Sequence, residues 1–108
     1  MSDLILILTT MPDQERAEAL ARTLVEERLA ACVNVGPAMI SIYRWQGAVQ
    51  CDAERQVVIK TTSALVEQLR ARLTTLHPYE LPEFVVLQAA ASDAYLSWVA
   101  GETRPSDA

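Results

Sequence analysis

Leu4 to Leu8 is an unbroken aliphatic run, which predicts a strand covered on both faces rather than one that alternates between core and water. Thr9-Thr10-Met11-Pro12-Asp13 breaks that run, and Asp13 stands where a helix N-cap is wanted. Ala17, Leu20, Ala21, Leu24 and Val25 then recur at the i, i+3, i+4, i+7, i+8 spacing of one helical face. Glu15 and Glu18 suit the positive end of the helix dipole. The spacing predicts a helix from about Asp13 to about Ala31.

From Cys32 the period becomes two. Val33 and Val35 precede a Gly36-Pro37 break, after which Ile40 and Ile42 share one face while Ser41, Tyr43 and Trp45 share the other. Gln46-Gly47 supplies a turn into a second strand, most regular from Gln56 to Thr61, so the two strands form a long hairpin with a bulge or bend near Gly36. Thr62 or Ser63 caps a second helix with the stripe Leu65, Leu69, Leu73 and Leu76. His77 precedes Pro78 and must leave the helical region. Phe84 to Leu87 is a further apolar strand, Ser92-Asp93 caps a short helix carrying Tyr95, Leu96, Trp98 and Val99, and residues 101–108 read as a frayed tail.

The resulting strand-helix-strand, strand-helix-strand order predicts an α+β fold: a ferredoxin-like βαββαβ sandwich with a long hairpin between the second and third strands and a short C-terminal helix. Residues 1–108 make one domain, long enough to bury roughly two-thirds of the unfolded surface. In this plan two helices cover one sheet face and the other stays open. Successive apolar positions in the first and last strands, with Tyr43 and Trp45 on the hairpin, leave much apolar surface for a monomer, so sheets of several copies are expected to pack or pair together.

Composition narrows the partners. With 51% hydrophobic but only 6% aromatic residues the core is mainly Leu, Val, Ile and Ala. A net charge of −5, with no Lys/Arg cluster, is the wrong sign for nucleic acid or an anionic membrane surface. The start Met1-Ser2-Asp3 lacks a positive n-region, and Leu4 to Leu8 is too short for a signal or spanning segment, so a soluble cytoplasmic protein is expected. Cys32 and Cys51 then read as reduced thiols.

The densest chemistry lies in His77-Pro78-Tyr79-Glu80-Leu81-Pro82-Glu83, where two prolines stiffen a run of polar side chains. His77 and Glu80 could act as general acid and base of a small hydrolase or lyase, yet no nucleophile motif or phosphate loop accompanies them. A closed zinc site wants four N or S donors, and one His with two separated Cys do not supply them; a soft-metal site could use Cys32. Lys60 on the third strand either snorkels or pairs with a carboxylate, Glu54 or Glu80, unless it clamps an anionic ligand. Trp45 and Tyr43 read as packing anchors, and Trp98 as a lid over the core.

Six segments in order resemble the CutA family, the small proteins associated with divalent cation and especially copper tolerance. They are Thr10-x-Pro12-Asp13, Leu29-Ala30-Ala31-Cys32-Val33-Asn34, Ser41-Ile42-Tyr43-Arg44-Trp45-Gln46-Gly47, Lys60-Thr61-Thr62, the His77 to Glu83 run, and Tyr95-Leu96-Ser97-Trp98. The resemblance implies a ferredoxin-like protomer in a tight homotrimer of PII-like architecture, and a non-enzymatic function. It puts metal ligands at Cys32 and His77, with Lys60, Tyr79, Glu80 and Trp45 around a small-ligand cleft between subunits. No cofactor is obligatory; copper or another divalent cation is the implied metal. Thr9 and Leu76 stand where metal-rich relatives have a Cys and a second His, so the metal is expected to bind weakly. Two other readings use the same residues: a PII-like sensor of an anionic metabolite held by Lys60, and a purely structural trimeric scaffold.

Overall fold

The computed structural model describes residues 4–104. Strand β1 (Leu4–Met11) leads into helix α1 (Gln14–Glu26). Strands β2 (Cys32–Trp45) and β3 (Ala48–Thr61) form the hairpin, and a 3₁₀ turn (Ser63–Leu65) opens into helix α2 (Val66–Leu76). Strand β4 (Val85–Ala89) and helix α3 (Asp93–Glu102) follow. All strand pairs are antiparallel and the sheet order is β2-β3-β1-β4, which gives the expected split βαβ plan of an α+β fold.

The side chains of Ile5, Ile7, Val57 and Ile59 face the apolar stripes of α1 (Ala17, Leu20, Leu24) and of α2 with its preceding turn (Leu65, Leu69, Leu73) in one core cluster. Asp13 caps α1 by accepting a hydrogen bond from Arg16 N–H at 2.8 Å, and Ser92 caps α3 by accepting from Tyr95 N–H at 3.2 Å. The hairpin turns on Gln46 (φ +49°) and Gly47 (φ +81°), two left-handed residues whose twist matches the strands they join. Val35 pairs with Val57 and Ala38 with Arg55, so Gly36 and Pro37 together oppose Gln56 in a bulge. A Cβ on Gly36 would lie 3.1 Å from the Gln56 carbonyl oxygen, which explains the glycine. Pro37, lacking an N–H, is tolerated because β2 is an edge strand.

Several boundaries differ from the sequence pattern. Strand β1 continues through Thr9, Thr10 and Met11, which pair with Val57, Gln56 and Arg55; polar Thr is a good strand former when its hydroxyl finds a partner. Helix α1 stops at Glu26, five residues short of Ala31. Arg28 (φ +61°) adopts the left-handed C′ position, its N–H bonding Val25 O at 3.0 Å while Leu29 N–H reaches Leu24 O at 3.0 Å. Leu29 and Ala30 are buried through this reversal, not through further helix. Neither Thr62 nor Ser63 caps α2 with its side chain; the 3₁₀ turn takes that place.

Residues 101–104, expected to fray, are held in place. Helix α3 includes Gly101 and Glu102, Thr103 is buried with its hydroxyl on Val99 O, and Arg104 N–H bonds Arg28 O at 3.0 Å. Residues 105–108 lie outside the described residues. Trp98 is no lid, being 44% exposed beside Tyr95.

The second sheet face is only partly covered. Cross-strand partners share a face, so Cys32, Lys60, Leu6 and Leu87 form one row, and Asn34, Val58, Leu8 and Val85 the next. Helix α3 reaches this face where Tyr95 lies by Lys60, leaving Val85 and Leu87 exposed. Beyond the bulge the hairpin projects with one apolar face in water: Ile40, Ile42 and Val49 are 65%, 71% and 64% exposed. Among the described residues no helix is long and apolar enough to cross a membrane.

Leu69, fully buried in the core cluster, tests the layer that holds α2 on the sheet. Leu69→Ala is expected to cost about 2–5 kcal/mol, read as a lowered urea midpoint with an unchanged slope.

Candidate functional site

Helix α2 ends at His77, whose backbone turns extended (φ −81°, ψ 136°) as Pro78 requires, while its N–H still bonds Leu73 O at 2.8 Å. The imidazole is 8% exposed. Its Nε2 lies 2.7 Å from Thr10 O, and a carbonyl can only accept, so Nε2 carries the proton. Nδ1 is then the acceptor, and it receives Tyr79 N–H at 3.1 Å. Thr9 Oγ1 stands 3.4 Å from Nε2 on the other side. Burial pushes the His77 pKa below its ordinary 6.5, against a smaller opposing pull from the Thr10 carbonyl and the charge of Glu54.

The Tyr79 ring packs 4.8 Å from the imidazole, and its hydroxyl donates to Glu54 Oε2 at 2.6 Å. Glu54 is only 9% exposed, so this bond ties the loop to β3 and gives a buried carboxylate a donor. Burial, then the Glu54 hydrogen bond, pushes the Tyr79 phenol far up. One step further along the hairpin Tyr43 donates to Asp52, a bond that raises its own pKa. Hairpin and loop thus form the two walls of a cleft of about 860 Å³, with Trp45, Tyr43 and Asp52 on one side and Tyr79, Glu80 and Glu83 on the other.

Of the residues expected at a site, Trp45, Tyr79 and Glu80 line this cleft, and His77 lies directly beneath it. Cys32 and Lys60 do not. They face each other across β2 and β3, four residues along β3 from Gln56 at the cleft edge, about 13 Å away at strand rise. The expected pairing of Lys60 with Glu54 or Glu80 is not formed: Glu54 is bonded to Tyr79, and Lys60 Nζ sits 5.8 Å from the centre of the Tyr95 ring. His77 and Glu80 are not an acid–base pair either, since both imidazole nitrogens are engaged by backbone and Glu80 points into the open cleft. Both cysteines are free thiols, and among the described residues no three His, Cys, Asp or Glu side chains converge as metal ligands.

Sequence reasoning does not single out Asp52, and brings in Glu54 only as a partner for Lys60, although the signal for both is available. A two-residue turn at Gln46-Gly47 fixes the register, and counting outward pairs Tyr43 with Gln50, Ser41 with Asp52 and Met39 with Glu54 on one face.

The sequence profile described as CutA1 divalent ion tolerance protein matches residues 5–102. A divalent-cation tolerance protein CutA of Thermus thermophilus is 47% identical over 98 residues, spanning 90% of this chain and 95% of the relative. The chloroplastic protein CutA of Arabidopsis thaliana is 41% identical across 93% of this chain, but the match covers only 56% of that longer relative. A crystal structure of CutA from Xylella fastidiosa superposes with a TM-score of 0.91 at 44% identity, over 95% of this chain and all of that one.

A histidine held neutral by burial stabilises the fold fully above its unfolded pKa near 6.5, and that contribution is lost as pH falls through the lower folded value. Urea unfolding of the wild type is therefore expected to weaken more steeply below about pH 6.5 than that of His77→Asn, whose side chain keeps an acceptor for Tyr79 N–H but cannot protonate. Tyr79→Phe, which strips a buried carboxylate of its donor, is expected to cost about 1–3 kcal/mol in the same assay at neutral pH.

Proposed function

The chain belongs to the CutA1 divalent ion tolerance family, and from that premise we propose that it serves cation tolerance as a non-enzymatic homotrimer with weak metal or small-ligand sites in clefts between subunits. The family and its relatives are named for tolerance, not for a catalysed reaction. One observation carries the assembly. The hairpin exposes Ile40, Ile42 and Val49 on one face, and the loop exposes Leu81, more apolar surface on a projecting arm than a monomer keeps in water. Both sheet edges, β2 and β4, are also free to pair with another copy.

The metal reading depends on that assembly. Within one chain Cys32 belongs to the second sheet face at the Lys60 end, whereas His77 lies beside Thr9 and Thr10 at the opposite end of β1. A copper or other divalent ion taken by Cys32 and His77 would therefore join two chains. Cys32 would be its soft donor. His77 could offer only Nδ1, by releasing Tyr79 N–H, and that exchange supports weak rather than tight binding. Lys60, Tyr79, Glu80 and Trp45 are the proposed contacts for a small ligand. A cytoplasmic location is proposed with them; the plant relative is named as chloroplastic. A PII-like sensor remains the second reading, supported by the open cleft, with Lys60 reaching it only from a neighbouring subunit.

Light scattering at micromolar concentration is expected to give three times the chain mass, and a monomer mass would refute the assembly. Calorimetric titration with Cu²⁺ should show binding that weakens in both Cys32→Ala and His77→Ala; unchanged binding in the two variants would remove these ligands.

A further inference from the structure

We propose that Tyr79 gates His77: the loop that Tyr79 ties to β3 must lift before the imidazole can take a cation, so cation binding and loop closure exclude each other. The imidazole is already oriented as a ligand. A metal-binding histidine commonly donates its second ring N–H to a backbone carbonyl, which fixes the tautomer and the direction of the other nitrogen. In His77 that outer bond runs from Nε2–H to Thr10 O at 2.7 Å, which leaves Nδ1 as the donor atom. A neutral imidazole nitrogen suits copper and other divalent transition ions.

What covers Nδ1 is Tyr79. Its N–H occupies the nitrogen at 3.1 Å, and its ring packs 4.8 Å from the buried imidazole. Nδ1 has a single lone pair and serves one partner at a time. Tyr79 is anchored at a second point, where its hydroxyl donates to Glu54 Oε2 at 2.6 Å in a charge-assisted bond. Lifting the loop breaks both bonds and leaves the buried Glu54 carboxylate without this donor, so the closed loop is the resting state. The coupling is reciprocal: a change that loosens Tyr79 from Glu54 strengthens cation binding at His77, and the loop is loosened by the same factor when His77 holds a cation. A residue that merely supported the site would act in the opposite direction, since losing support weakens binding.

This inference rests on the metal part of the reading above. Calorimetric titration of the full chain with Cu²⁺ at neutral pH is expected to show binding roughly tenfold tighter in Tyr79→Phe than in the wild type. Glu54→Gln, which keeps an acceptor for the hydroxyl but not its charge, should fall between the two. Tyr43→Phe is the control: Tyr43 is bonded to Asp52 on its own hairpin, so its loss should leave the affinity unchanged. Hydrogen exchange of the wild type, read by mass spectrometry on the 77–83 segment, should be faster with Cu²⁺ than without it, a readout independent of how well any variant folds. Unchanged or weaker binding in Tyr79→Phe, or loop exchange that Cu²⁺ slows or leaves unchanged, would overturn the gate. Either result together with loss of binding in His77→Ala would leave the metal reading standing and sink this one alone, whereas unchanged binding in His77→Ala would remove both.

Discussion

A buried imidazole with both nitrogens committed joins three parts of this chain that would otherwise be independent. His77 ends α2, its Nε2–H holds the last turn of backbone in β1 at Thr10, and its Nδ1 fixes the amide of Tyr79. Only the neutral ring in one tautomer satisfies this arrangement, because a protonated Nδ1 would point an N–H at an N–H. Everything downstream inherits the geometry. Tyr79, its amide on His77 Nδ1 and its hydroxyl on Glu54, ties the loop wall to the hairpin. The residue that looks most like a catalytic base or a metal ligand is therefore largely spent on structure.

The hairpin supplies the other half of the frame, and its order follows from local chemistry. The left-handed pair Gln46-Gly47 sets a register that runs outward until the Gly36-Pro37 bulge re-aims the strand. Between turn and bulge the two faces differ sharply. One carries Ile40, Ile42, Cys51 and Val49, and the other carries Ser41, Tyr43, Trp45, Asp52 and Glu54. An arm with an apolar back and a polar-aromatic front has one face suited to another protein surface and one suited to a small polar molecule.

Much of this was legible in the sequence because it rests on short-range signals. Asp13 and Ser92 cap as their residue types predict, the leucine stripe of α2 lies in the core, and Pro78 ends that helix where it must. The failures share a cause. The pattern carries α1 on to Ala31 because Leu29 and Ala30 keep the apolar rhythm, and the C′ position has Arg28 rather than a glycine to mark the end at Glu26. Arg28 tolerates the left-handed conformation with its carbonyl held by Arg104 and its guanidinium by Glu102, contacts from the far end of the chain that no local window contains. Thr9 and Thr10 read as a break because their polarity is visible in the sequence and their partner, His77, is 68 and 67 residues away. At the site, the loop is recognisable from its composition, while Asp52 matters through Tyr43 across the hairpin and Glu54 through Tyr79 in the loop.

The placement of charge follows from the same long-range order and constrains any chemistry the protein performs. On the second sheet face Lys60, with the Cys32 thiol opposite, is stacked near Tyr95 at one end, while the carboxylates of the cleft gather beyond the bulge at the other. Two residues of opposite sign on β3, Lys60 and Glu54, are six positions apart and meet different surroundings, Tyr95 at one and Tyr79 at the other. A single subunit therefore offers a cationic, thiol-bearing end and an anionic, aromatic end with no bridge between them. Any ligand that touches both, and any metal shared by Cys32 and His77, must lie where the end of one chain meets the opposite end of another. Association of copies thus decides whether this surface carries two separate half-sites or one complete site.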